Sequence, residues 1–375
     1  MTTERIALAG LLVLVAAGPL VLPDFYITLL NYIGLYSIVT LALVLLTGVA
    51  GLTSFGHAAF VGVGAYTSAV LTTTYGLSPW LSLPVALGLT SLSALIIGLL
   101  TLRLSGHYFV VGTIAWGISL YYVFGNLQGL GGHNGIPGIP GLSILGVSLE
   151  PERRYAYLIW SVVIVALLSI VRLLDSRPGR AIRALRSVTL AEAFGVHTSR
   201  LKVVVFVYSA LLAGGAGWLH AHYLRFVNPT PFGVDASIEY LFMIVVGGAG
   251  EVWGAIVGAG VITVIKSWLQ DLLPELIGST GQFETIVFGI AVVLILHNAS
   301  GGIMARIMRL RPNQAPVYVP TATAPLARRP KPPDHTVLLE VDGAFKVFGG
   351  LTAVNNIKFD VKSGEIVGLI GPNGA

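Results

Sequence analysis

Ten apolar stretches follow one another along this chain, and no other feature limits its fold as much. They run from Ile6 to Leu22, Phe25 to Thr47, Phe55 to Thr73, Trp80 to Leu104, Tyr108 to Leu127 and Tyr155 to Leu174, then Leu201 to Leu224, Ile238 to Val246, Val252 to Trp268 and Phe283 to Ile303. A helix of roughly 20 apolar residues covers the hydrocarbon core of a bilayer and satisfies its own backbone where water is absent. The series therefore predicts an all-α polytopic membrane protein with about eight to ten transmembrane helices. Ile238 to Val246 is too short for a crossing and runs into Gly247-Gly248-Ala249-Gly250, as a half-helix or re-entrant segment would. Charged residues make up only 10 % of the chain, far below a soluble domain, which excludes a soluble fold for most of its length. The first stretch leads straight into another, unlike a secretory signal followed by a polar domain.

The net charge is +5, but the basic residues flank apolar stretches instead of forming one patch, so lipid and not nucleic acid is the expected surrounding. Arg172, Arg177, Arg180, Arg183, Arg186, Arg200 and Lys202 crowd one connection, and Arg306, Arg309 and Arg311 follow the last stretch. The positive-inside rule places both in the cytoplasm. Ten crossings put them there together with the N-terminus, and put the Gly/Pro-rich stretch from Gln128 to Arg154 outside.

Ionisable side chains inside or beside apolar spans are costly, so His57, His220, His222, Glu239, Glu251, Lys266, Glu284 and His297 are candidates for a pathway or a structural role. His57, Glu239, Gly247, Gly248 and Gly250 are carried forward as pathway candidates; for His57 the competing reading is a hydrogen-bonded group at a helix end. Stripes of small residues, such as Ala58, Gly62, Ala65 and Ala69, or Ala210 and Gly214, read as helix-packing surfaces. The absence of cysteine excludes disulfides and thiolate metal sites. No HExxH and no nucleophile elbow occurs, so no catalytic residue and no metal ligand is assigned.

After Leu310 the chain turns polar and Pro-rich, then resolves into short β-like runs at Val337 to Val341, Ala344 to Phe348, Ile357 to Val361 and Ile366 to Ile370. Directly after the last comes Gly371-Pro372-Asn373-Gly374-Ala375, the opening half of a P-loop, whose backbone NH groups would wrap a phosphate. The expected division is a membrane domain over residues 1–311, a linker over 312–335 and a β-rich, truncated ATPase start over 336–375. The phosphate-binding Lys and the Mg²⁺-binding Ser/Thr are missing, so the chain as it stands is expected not to hydrolyse ATP. It reads as a fragment of a longer fusion, with a natural short product as the alternative.

Two sets of motifs carry a family resemblance. The stretch from Ser176 to Arg186, continuing to Ala191-Glu192-Ala193-Phe194-Gly195, resembles the coupling loop of permeases from ATP-binding-cassette importers, with the Glu-Ala-Ala signature compressed. Gly51-Leu52-Thr53-Ser54-Phe55-Gly56-His57, Gly106-His107-Tyr108-Phe109, Gly131-Gly132-His133-Asn134-Gly135 and Gly247-Gly248-Ala249-Gly250-Glu251-Val252-Trp253-Gly254 resemble the branched-chain amino-acid permease subgroup, over nearly all of residues 25–305. Leu130 and Glu251 depart from the subgroup's usual residues.

The resemblance implies a type II importer-like fold forming half of a translocation pore, in a bacterial plasma (inner) membrane. It implies a second permease, an ATPase dimer and an external substrate-binding protein as partners, with ATP and Mg²⁺ serving the full assembly and no cofactor for this chain alone. Arg180, Arg183, Arg186, Glu192, Ala193 and Gly195 would form the coupling surface. Phe348-Gly349-Gly350-Leu351-Thr352-Ala353-Val354 resembles the start of the matching ATPase, which would make Phe348 the aromatic that stacks on adenine. Urea or short-chain amide import is the alternative within this class; a passive facilitator with a vestigial ATPase stub is the alternative outside it.

Overall fold

The computed structural model describes residues 3–104, 106–277, 301–309, 332–348 and 351–371, with positions 289, 290, 293, 294 and 297. It contains two compact units, Met1–Asn313 and Gln314–Ala375. The first unit is helical. Its helices are α1 (Thr3–Val21), α2 (Asp24–Leu43, continued by a π-turn over Val44–Val49), α3 (His57–Thr73), α4 (Pro79–Thr101), α5 (His107–Asn126), α6 (Glu152–Asp175), α7 (Arg177–Ala184), α8 (Val188–Ala193), α9 (Thr198–Leu224), α10 (Val234–Gly247), α11 (Val252–Ile277) and α12 (Gly302–Arg309). Between α5 and α6, β1 (Ile136–Pro137) pairs antiparallel with β4 (Phe226–Val227), and β2 (Ser143–Ile144) with β3 (Val147–Ser148).

Six described helices are long and apolar enough to cross a membrane: Asp24–Val49, α4, α5, α6, α9 and Val252–Leu272 of α11. This is fewer than the eight to ten expected. The difference has definite places. α3 has 17 residues and α10 has 14, both short of a crossing. In α1 the part described with side chains gives only the shorter apolar helix Gly10–Val21, and the stretch from Phe283 to Ile303 lies mostly outside the described residues.

Local chemistry sets the helix ends. Pro79 starts α4, where its missing NH is no loss. Ser176 caps α7 by accepting a hydrogen bond from Gly179 N at 3.3 Å, with Pro178 in the first turn. Gly195 stops α8 by taking φ +80°, a left-handed conformation that costs glycine little.

Close backbone approach holds the bundle together, because burying apolar surface gains little against lipid tails. α3 packs on α9 through Gly64 and Gly214, and through Gly217, where a methyl group would overlap the Val61 carbonyl. Gly214 also lies against Thr90 of α4, and Gly34 of α2 receives Ile159 and Trp160 of α6. Trp160 is buried and donates its indole NH to the Leu30 carbonyl at 3.2 Å.

The second unit is one antiparallel hairpin of β5 (Val337–Phe348) and β6 (Leu351–Lys362), registered from Val337↔Lys362 to Phe348↔Leu351 with several irregularities. The four short runs expected from the sequence are thus two twelve-residue strands and a coil. Gly343, at φ +69°, lets β5 continue through the register shift between Val341 and Ala344. Ile366 to Ile370 has no strand partner among the described residues and is not a strand; Ile366 and Ile370 are wholly exposed. The β-rich ATPase start is therefore not seen beyond this hairpin.

Gly217→Leu should lower the thermal midpoint in detergent, by an amount equivalent to about 1–3 kcal/mol or more from overpacking. The same exchange at Gly88, which faces open space on α4, should leave the midpoint unchanged. Equal midpoints for both variants would contradict the α3–α9 packing.

Candidate translocation site and coupling face

α3 starts inside the bundle and not at a membrane face. His57, its first residue, is wholly buried, with Nδ1 3.1 Å from Ser54 Oγ and Nε2 3.0 Å from Ser209 Oγ. Ser209 lies near the middle of α9. Phe55 N donates to Thr113 Oγ1, near the middle of α5, at 3.1 Å. The start of α3 is therefore at mid-depth, and residues 50–56 climb to it from the end of α2. Gly56 has no room for a side chain, because a Cβ there would press on the Thr113 carbonyl at 2.6 Å.

α10 starts at the same level, since Ser237 Oγ in its first turn accepts a hydrogen bond from Ala58 N at 3.0 Å. From this shared point the two short helices diverge. α3 ends beside the segment between α5 and α6: Ser68 Oγ lies 2.8 Å from His222 Nε2, and His222 Nδ1 lies 2.8 Å from the Pro140 carbonyl. α10 ends beside Gly48, which abuts the Ala249 carbonyl on the face that carries α7 and α8. Two half-helices meeting at mid-depth is how discontinuous helices frame a pathway in transporters. Beside the first turn of α3, a small apolar cavity lies between Phe60, Ile97, Trp116, Leu120 and Phe206.

The structure places the pathway candidates in different roles. His57 pins the re-entrant segment with both ring nitrogens engaged. Gly247 fits against the Gly254 carbonyl, and Gly248, at φ +117°, turns the chain beneath Gly301 and Met304. Gly250 faces open space. Glu239 on α10 forms an ion pair with Lys266 on α11 at 2.9 Å. The sequence contains a signal for that pair. α10 and α11 fold back on each other about the Gly248–Glu251 turn, so Met243 meets Gly258 and Glu239 comes level with the turn of α11 just before Lys266.

The residues expected to couple lie on one surface of α7 and α8. Ile182, Leu185 and Ala191 point into the bundle, while Arg180, Arg183, Ala193 and Gly195 are exposed. Leu190 and Phe194 also stand in solvent, Phe194 at 81 % exposure, a costly position for an aromatic ring unless a partner covers it. The Glu192 carboxylate accepts from Thr198 Oγ1, fixing α8 against the start of α9. Arg186 reaches back to donate to the Gly48 carbonyl, tying this surface to the π-turn of α2.

The family model described as branched-chain amino acid transport system / permease component matches residues 25–296. The chain belongs to this permease family. It is 30% identical over 319 residues to the high-affinity branched-chain amino acid transport system permease protein LivM of Salmonella typhimurium, covering 78% of this chain and 73% of the relative. It is 26% identical over 328 residues to the probable branched-chain amino acid transport permease protein LivM of Methanocaldococcus jannaschii, covering 75% and 93%. The permease protein LivH of Salmonella typhimurium matches at 28% over 145 residues, covering 38% of this chain and 45% of its own. No solved structure matches the chain.

For the permease's expected nucleotide contacts, the described residues give no cradle. Phe348 closes β5 opposite Leu351, but its side chain lies outside the described residues, as do Pro372, Asn373, Gly374 and Ala375. Gly371 is exposed coil after a run that is not a strand. No cluster of three acidic or His side chains suited to a metal ion occurs among the described residues.

Two variants test the junction and the tether. His57→Ala leaves the Ser54 and Ser209 hydroxyls without their shared partner and should cost about 1–3 kcal/mol, read as a lower thermal midpoint. Arg186→Ala should speed amide hydrogen exchange across residues 48–54 by about tenfold, with the α3–α9 core unchanged. Exchange confined to wild-type rates would show that the arginine does not hold the segment.

Proposed function

We propose that the permease forms one half of the translocation pore of an ATP-driven importer for branched-chain amino acids, in a bacterial plasma (inner) membrane with α7 and α8 facing the cytoplasm. The observation that carries this reading is the exposed Leu190 and Phe194, set among arginines on a surface tied to the core by Arg186. A passive pore has no use for such a docking surface. The names of the LivM and LivH relatives support a second permease of the same family as the partner that completes the pore. An external substrate-binding protein would deliver the amino acid.

An ATPase dimer would provide the driving force when it binds and hydrolyses nucleotide. This chain's own part is mechanical. Displacement of α7 and α8 pulls on Arg186, and Arg186 pulls on Gly48 at the end of α2. The next segment, residues 50–56, ends at the hydrogen-bonded start of α3. A push at the coupling face thus reaches the mid-depth junction through one continuous stretch of chain, a physical link of the kind that coupling requires. The β5–β6 hairpin is assigned no part in this step.

The test is leucine uptake into proteoliposomes that hold the permease with its second permease, ATPase and binding protein. Uptake should require ATP and should be outcompeted by isoleucine and valine but not by urea. Phe194→Asp should cut it by about tenfold or more with normal membrane insertion, as losing a buried aromatic anchor does. Uptake that proceeds without ATP would establish a passive facilitator, and preference for urea would establish the amide reading.

A further inference from the structure

A groove descends between α2, α9 and α11 from the face carrying residues 127–151 to mid-depth. It exists because α10 is a half-helix. α10 occupies only the α7–α8 half of the column beside α2 and α11, and the preceding segment packs away against α3 through Phe232 on Gly62 and Tyr66. Among the described residues, the other half of the column is open.

The groove's lining sets it apart from surfaces that meet lipid. On α4 the outward positions Leu81, Val85, Leu89, Leu92, Ile96 and Leu99 are all exposed and aliphatic, as acyl chains require. The groove presents Thr28, Tyr32 and Tyr36 from α2, and Thr263, Lys266 and Ser267 from α11. Such groups at membrane depth are tolerated where they line water or are covered by protein. At the floor, Lys266 meets Glu239, with the lysine side chain 39 % and the glutamate side chain 20 % exposed. The second Glu239 oxygen is enclosed and has no hydrogen-bond partner among the described residues. A carboxylate left half-paired at this depth calls for a further donor. The mouth is apolar, with Phe25, Leu29 and Leu224.

We propose that this groove is a binding site for the zwitterionic head of an α-amino acid. The substrate carboxylate would lie against Lys266 and the hydroxyls beside it. Its ammonium group would join the Glu239 oxygen that pairs with Lys266 at the floor, and its aliphatic side chain would face Phe25 and Leu29. The opposed charges sit on adjacent helices one ion-pair distance apart, which matches the spacing of charges in an amino acid. The choice of ligand rests on the import reading given above.

The natural absence of cysteine makes the test direct. Thr28→Cys, Thr263→Cys and Ser267→Cys are placed singly in the assembled transporter, with Leu89→Cys as the lipid-facing control. A membrane-impermeant methanethiosulfonate is added from the binding-protein side. The groove cysteines should react and Leu89→Cys should not. Leucine at ten times its Kd should slow the reaction by about tenfold, following simple mass action, while urea should have no effect. Lys266→Met should abolish the protection, and Lys266→Arg should keep part of it.

Groove cysteines that do not react, or that react equally with and without leucine, would overturn the proposal. Wild-type leucine uptake is measured in the same membranes. Intact uptake with unprotected cysteines refutes the groove alone, whereas absent uptake refutes the import reading, and leucine protection still decides the groove.

Discussion

A peptide group at the middle of a bilayer has no water to bond, and the chain can leave its helix there only where protein groups take water's place. The permease meets this condition at one point, and the surrounding architecture follows from it. Ser54, Thr113, Ser209 and Ser237 provide the hydroxyls, and His57 bridges two of them. With those bonds made, α3 and α10 can both begin at mid-depth. Without them the segment before α3 would carry unmet donors into hydrocarbon.

Small residues provide the second requirement. A helix that starts inside a bundle must pass close to its neighbours, and Gly64, Gly214 and Gly217 bring α3 and α9 near enough for backbone to touch backbone. Gly247, Gly254 and Gly258 do the same for α10 and α11. Hydrogen bonds fix where the half-helices begin, and glycine fixes how closely they are held. The α7–α8 surface joins this core through the buried Ile182, Leu185 and Ala191 and through the Arg186 bond to the Gly48 carbonyl.

Much of this was legible in the sequence, and the limits have physical causes. Nine of the ten apolar stretches coincide with described helices, because apolar length is a property of consecutive residues. The stretch from Phe55 to Thr73 reads as a full crossing, yet α3 is a half-helix; hydropathy records composition but not the depth at which a helix begins. His57 could not be assigned because its partners lie on α9 and in the re-entrant segment, and one of them is 152 positions away. The Glu239–Lys266 pair was hidden for the same reason, although the glycine turn between the helices implied their facing registers. In the hairpin, the first two short runs became one strand because a glycine in the left-handed region permits a register shift that alternation alone does not reveal.

The two half-helices also impose an inverted relation on the molecule. One re-entrant segment approaches from the α7–α8 face and is followed by a helix running to the opposite face; the other does the reverse. Each leaves half of a column unfilled, on opposite sides of the same plane. In this structure the half-column above α10 is a groove among the described residues, while beside the first turn of α3 there is only a small apolar cavity. Each end of the bundle thus faces its own half-column, with the hydrogen-bonded plane where the two helices start as the partition between them.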